Sequence, residues 1–323
     1  CDGSLQLSRR PASARGKFGA LMTASTRSTW LALGAIALWA TLAPVGVRLS
    51  HLPPFLTAGC ALLIGSLVAL PWSGFKWRLA WVPASTLALG IYGLFGYHFL
   101  LFVAFRMAPA VQANLVNYLW PLLIVVLAPL FNKHSTLKLR QVIAAIAGFA
   151  GAALVMTGGK AISTDFNMGY LAALASAFIW ATYSLMTQRV QAFHTAAIGS
   201  FGLVSGLLSL ACHAALETPV ALSAQDVGLL VWMGLGPLGV AFYLWDAALK
   251  NGNAQQIGLL SFITPLGSTV LLLVDRQEAL TPLVAWAGLL IVGGAWLGRN
   301  TGPQDAANDP HYDSHRDPQR DSH

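Results

Sequence analysis

The chain has 323 residues, 56% of them hydrophobic and only 10% charged, with a mean hydropathy of +0.62. A soluble globular chain carries about 25% charged residues, so this one has too little polar surface to enclose a water-soluble core. That excludes a soluble enzyme, a disordered protein and a large extramembrane domain. At about 20 residues per crossing, the apolar blocks hold around ten spans. The formal net charge is +7 and the pI about 9.6. The cations are scattered one to three per loop, which reads as a topology signal rather than a nucleic-acid surface.

In chain order, residues 1–28 read as a polar, basic cytoplasmic tail. Apolar run length and polar or Pro/Gly punctuation then predict helices over 29–49, 54–73, 83–105, 109–131, 138–158, 168–188, 195–216, 227–249, 254–274 and 281–298. Residues 299–323, rich in Pro, Asp, Asn and His, are expected to be a disordered, solubilising cytoplasmic tail rather than a metal site. The first apolar block lacks a small-residue cleavage pattern, so no cleavable signal peptide is expected. Cys1, Cys60 and Cys212 suggest neither a disulfide framework nor a metal centre. Of the 19 Lys and Arg residues, all but Arg48, Arg106, Lys160 and Arg276 fall on one side of this arrangement. Cationic loops face the cytoplasm, so both termini are placed there, in a multi-pass protein of the inner (plasma) membrane. Asp165, Glu217, Asp226, Asp275 and Glu278 then lie on the outer side.

An internal repeat organises the spans. WATLAPVGVR, from Trp39 to Arg48, matches WATYSLMTQR, from Trp180 to Arg189. RMAPAVQANLVNYLWPL over 106–122 matches KNGNAQQIGLLSFITPL over 250–266, aligning Arg106 with Lys250, Gln112 with Gln256 and Pro121 with Pro265. Spans five and ten share the pairs Ala147-Gly148 and Ala287-Gly288. The unit is five helices used twice, over 29–158 and 168–298. Five is odd, so the second copy is inverted. The fold class is an all-α membrane protein of ten transmembrane helices, two inverted five-helix repeats around a central cavity.

Polar and aromatic groups belong inside a membrane only where protein or a water-filled cavity receives them. In span four, Asn114, Asn117, Tyr118 and Pro121 share one helical face. Pro121 and Pro265 should kink spans four and nine. Ser176, Trp180, Tyr183 and Thr187 form a stripe in span six, and Trp232, Gly236, Gly239, Tyr243, Asp246 and Lys250 another in span eight. The matching stripe in span nine is Gln255, Gly258, Ser261, Phe262 and Pro265; span three adds Tyr92, Tyr97 and His98, and Trp120 stands beside the span-four stripe. The expected substrate-binding set is Tyr97, His98, Asn114, Asn117, Tyr118, Trp120, Trp180, Tyr183, Tyr243 and Gln256. Asp246 and Lys250, four residues apart, suggest an ion pair near the cytoplasmic end and a gate. Trp72, Trp77, Trp81 and Trp296, near span ends, read as interface anchors, and His213 as structural. No phosphate loop, HExxH or GxSxG occurs in the chain. No catalytic residue, cofactor or metal is expected.

Ten helices in two repeats, the Trp-Ala-Thr pattern in spans one and six, and the mid-span prolines of four and nine resemble the drug/metabolite transporter superfamily, EamA type. The segment DRQEALTPLVAWAGLLIVGG is similar as well, with Glu278 where that family usually has an acid; NKHSTLKLRQVIAAIAGFAG in the first half lacks it. The aromatic-rich third and fourth spans resemble the YddG-type aromatic amino-acid exporters. The resemblance covers about residues 29–298.

The leading expectation is therefore a secondary transporter, not an enzyme, exporting amphipathic small metabolites by alternating access, aromatic amino acids foremost. Its partners are the small-molecule substrate and membrane lipid, with no nucleic acid and no obligate protein partner. The alternatives are an integral-membrane lipid-modifying enzyme, which would need a nucleophile or metal constellation at the headgroup level, and a same-fold transporter of other metabolites or drugs.

Overall fold

The computed structural model describes residues 14–132, 135–160, 166–190 and 192–299, with side chains from residue 26 onward. Residues 300–323 of the expected disordered tail, with its His residues, and Cys1, Lys133 and Asp165 lie outside the described residues. Among those described, all regular structure is helical. Ten apolar helices follow one another: α1 (Thr26–Arg48), α2 (Pro54–Trp72), α3 (Ala84–Met107), α4 (Ala110–Phe131), α5 (Leu139–Thr157), α6 (Met168–Met186), α7 (Ala197–Leu216), α8 (Ala224–Asn251), α9 (Ala254–Asp275) and α10 (Pro282–Leu297). The helix of α1 begins at Ala14, inside the segment read as a tail. Ala, Leu, Met, Lys and Arg there favour helix, which polarity alone does not reveal.

The two halves interlock. Helix α1 packs on α8 and α9, and its repeat counterpart α6 packs on α3 and α4, giving two three-helix bundles. Helix α2 packs against its counterpart α7, α4 against α9 and α5 against α10. The symmetry extends to single interactions. Arg48 of α1 meets Asp275 of α9 at 2.5 Å. Its counterpart Arg189 clamps the carbonyls of Leu130, at 2.8 Å, and Phe131 at the end of α4.

Irregular helix also recurs in matched places. Wide, π-type turns occupy Tyr92–Gly96 in α3 and Gly236–Val240 in α8. Helix α4 breaks between Asn117 and Trp120, and α9 between Leu260 and Ile263, each just before its proline. A proline cannot donate to the carbonyl four residues back. In α1, Pro44 leaves the Ala40 carbonyl unpaired, the helix breaks at Thr41, and Ser268 of α9 donates its hydroxyl to that carbonyl at 2.9 Å. This contact ties the bend of α1 to the neighbouring helix.

Small residues let the backbones approach, as they do between helices in lipid. A Cβ built on Gly151 of α5 would lie 2.8 Å from the Ala287 carbonyl oxygen of α10. One on Gly65 of α2 would lie 2.6 Å from the Leu238 oxygen and 2.8 Å from the Gly234 oxygen of α8. Backbone atoms have nowhere to retreat, so Gly65→Ala is expected to destabilise the bundle by roughly 1–3 kcal/mol. Thermal unfolding of the purified protein in detergent measures this. Gly228→Ala, with nothing within 4 Å of its Cβ, should leave the midpoint unchanged; equal midpoints for both variants would refute the close approach.

Candidate functional site

A cavity of about 1000 Å³ lies between the two bundles, at the upper end of ordinary ligand pockets. One wall comes from α1, α8 and α9, through Trp39, Phe242, Thr264 and Ser268; the other comes from α3, α4 and α6, through Tyr97, His98, Asn114, Tyr118 and Trp180. It opens on the face away from the start of α1 and the end of α10, where Ser50, Arg276 and Glu278 line the mouth. Arg276 and Glu278 are the ionised side chains among its lining residues. Deeper walls carry amide, hydroxyl, imidazole and aromatic groups.

The floor is aromatic. Trp39 lies 5.9 Å from Trp180, 6.4 Å from Trp120, 6.1 Å from Phe242 and 5.1 Å from Trp245, ring centre to ring centre. Its indole N–H donates to the Pro237 carbonyl at 3.0 Å, inside the wide turn of α8. Trp180 extends the cluster to Tyr97 at 5.3 Å. His98 and the Leu94 carbonyl lie 2.6 Å apart through Nδ1, so the wide turn of α3 also anchors a wall residue.

Below the floor the bundles are hydrogen-bonded together. Gln188, just past α6, donates to the Leu249 carbonyl at 2.7 Å, and Trp245 donates to the Ser184 hydroxyl at 3.2 Å. Gln255 of α9 donates to the Val125 carbonyl of α4 at 3.2 Å and accepts from Gln141 at 3.1 Å. Asp246 pairs with Lys250 at 2.6 Å and accepts from Thr195 at 2.6 Å. Lys250 also donates to the Phe193 carbonyl at 2.9 Å, holding the loop after α6 against α8.

Of the ten expected binding residues, Tyr97, His98, Asn114, Asn117, Tyr118, Trp120 and Trp180 line the cavity, as does Pro265. The structure places three elsewhere. Tyr183 is buried beneath the floor, 5.4 Å from Trp180. Tyr243 faces α2, 5.4 Å from Trp72 and 3.4 Å from the Gly65 and Ser66 carbonyls. Gln256 sits in the first turn of its helix, where its N–H is capped by Asn253, while neighbouring Gln255 turns inward. Pro121 packs into the closed half, its carbonyl oxygen 3.2 Å from a Cβ built on Gly258. Residues not singled out from the sequence but lining the cavity include Phe102, Phe105, Phe242, Thr264, Ser268 and Thr269. His98 and Phe242 are repeat counterparts, a relation that would have flagged Phe242.

The sequence profile of the EamA-like transporter family matches residues 26–157 and again 167–298. A relative named aromatic amino acid exporter YddG, from Ancylobacter novellus, is 37% identical over 274 residues, covering 83% of this chain and 95% of that protein. The protein of the same name from Escherichia coli is 26% identical over 294 residues, covering 85% and 99%. A solved crystal structure, 36% identical, superposes with a TM-score of 0.78 over 85% of this chain and 97% of its own.

Within the cavity wall, Asn117 is the most committed polar group. Its amide donates to the Tyr97 hydroxyl at 3.1 Å and accepts from Ser176 at 2.9 Å, which fixes α4 to α3 and α6. Only 2% of it is exposed. Asn117→Ala would remove the bonds to Tyr97 and Ser176, although the Ser176 hydroxyl keeps the Ala173 carbonyl as acceptor at 2.7 Å, so the cost is about 0.5–1.5 kcal/mol per lost bond. A lowered unfolding midpoint in detergent is expected; an unchanged midpoint would contradict the positioning role.

Proposed function

The chain belongs to the EamA-like transporter family, and from that premise we propose that it exports amphipathic small metabolites, aromatic amino acids foremost, by alternating access through the central cavity. The observation that carries this reading is the character of the walls. Indole, phenol and imidazole groups surround neutral amide and hydroxyl groups, while the ionised side chains stand at the mouth. A zwitterion bearing an aromatic ring suits such a space. Its ring stacks on Trp39, Trp120 or Trp180, its ammonium lies over an aromatic face, and Asn114, Tyr118 and Thr264 bond its carboxylate. The names of the relatives from Ancylobacter novellus and Escherichia coli support the same substrate class.

Both termini are cytoplasmic in this reading, and the membrane is the inner (plasma) membrane. The cationic loops support that orientation. The cavity then faces outward, the state from which an exporter releases its load, and the hydrogen-bonded side beneath the floor is the closed cytoplasmic gate. Asp246 and Lys250 belong to that gate.

Counterflow of labelled phenylalanine into liposomes holding only this protein tests the function. Trp180→Ala removes ring stacking worth about 0.5–1.5 kcal/mol beyond area burial. It should weaken transport of aromatic amino acids several-fold and spare small aliphatic ones. Trp296→Ala, whose ring is 68% exposed on α10, should leave selectivity unchanged. Equal loss for aromatic and aliphatic substrates, at unaltered protein level, would remove Trp180 from the binding wall.

A further inference from the structure

We infer that the closed half holds a second substrate site, in which the Asp246 carboxylate receives the ammonium group of an amino acid once the cavity opens on the terminal side. This rests on the alternating-access reading above. The repeat supplies the geometry: α1 maps onto α6 as Trp39 onto Trp180, and α3 and α4 map onto α8 and α9 as Arg106 onto Lys250 and Pro121 onto Pro265. Two floor contacts join residues that are each other's counterparts, Trp39 with Trp180 at 5.9 Å and His98 with Phe242 at 6.4 Å. The pseudo-two-fold axis therefore passes through the floor.

Bonded pairs below that axis have separated counterparts above it. Ser184 and Trp245 are bonded at 3.2 Å, while their counterparts Ala43 and Leu101 both line the open cavity. Val125 and Gln255 are bonded at 3.2 Å, and their counterparts Thr269 and Val111 line it too. When the bundles exchange conformations, the upper pairs close and the lower pairs part. The new cavity is then walled by the counterparts of the present lining.

The two cavities differ in chemistry. Phe102 lines the open one, and its counterpart is Asp246. Leu101, which also lines the open cavity, is replaced by Trp245. Asp246 is now almost fully buried, with Oδ2 bonded to Lys250 and Thr195 and Oδ1 without a hydrogen-bond partner. Lys250 is held independently by the Phe193 carbonyl and lies 3.7 Å from the centre of the Phe193 ring. Oδ1 is therefore the acceptor that an arriving ammonium takes, without dismantling the Asp246–Lys250 pair. The inward site offers a charge-assisted bond that the outward site lacks, so substrate is held on loading and released after the switch.

Kinetics at each face of oriented liposomes test this. Asp246→Asn should raise KM for labelled phenylalanine at the terminal face about tenfold, as expected for a lost hydrogen bond to a charged group. Loosening the gate can shift both faces alike, so the diagnostic is the ratio. KM for phenylalanine should rise about tenfold more at the terminal face than at the opposite one, whereas competition by 3-phenylpropionate, which has no ammonium, should keep the same ratio between faces. An equal rise at both faces, or none, would overturn the proposal. Phe102→Asp, which moves the carboxylate into the open cavity, should lower the opposite-face KM for phenylalanine and not strengthen competition by 3-phenylpropionate; an unchanged KM also counts against it. If the unaltered protein carries no phenylalanine, the exporter reading falls separately. The second cavity is then judged by Ser184→Cys: reaction with an impermeant maleimide at the terminal face upholds it, and protection there overturns it.

Discussion

The indoles of Trp39 and Trp180, 5.9 Å apart, meet where the two halves of the molecule cross. They are repeat counterparts, one from each three-helix bundle, and they close the cavity floor together with Trp120, Phe242 and Trp245. Rings that pack edge to face tolerate a change of tilt better than a hydrogen-bond network does, because their attraction is spread over broad surfaces. An aromatic floor at a symmetry axis thus seals the base of the cavity with contacts that a change in bundle tilt would disturb least. The hydrogen bonds that fix the bundles to one another lie below it, at Gln188, Ser184 and Gln255.

The helices around the floor are irregular because the sequence withholds donors there. Pro44, Pro121, Pro237 and Pro265 each leave a carbonyl without its usual partner. In lipid such a group has to find another. Ser268 supplies one for Ala40; the wide turn around Pro237 is tied in separately, by the Trp39 indole donating to the Pro237 carbonyl. Function and fold share these positions. The same backbone that would be costly in a straight span is what gives walls to the cavity.

Much of this was legible in the sequence. Low charge fixed the membrane, the Trp-Ala-Thr pattern and the paired prolines fixed the inverted repeat, and the helical stripe of α4 pointed to Asn114, Asn117 and Tyr118. What periodicity left open was phase. The span-nine stripe holds Gln255 whereas the repeat alignment pairs Gln256 with Gln112; the two are about 100° apart on a helix, and the packing of α9 on α4 and α5 turns Gln255 inward. Tyr183 and Tyr243 share stripes with true wall residues but lie below and beside the cavity, since a long stripe passes through several surroundings. Thr264, Ser268 and Thr269 escaped notice because short hydroxyl side chains are also the ordinary filling of helix contacts in membranes. Phe102 and Phe105 were hidden by the reverse ambiguity: an aromatic in an apolar span reads first as lipid-facing or core.

In the alternating-access reading proposed above, the two bundles pivot about the aromatic floor. Paired spin labels read this most directly, one pair at Val47 and Phe105 beside the open mouth and another at Gln188 and Asn251 on the terminal side. A pivot requires that conditions populating the other state, such as saturating phenylalanine in liposomes, shorten the first distance and lengthen the second. Two distances that change in the same sense, or that both stay fixed while transport proceeds, would contradict it.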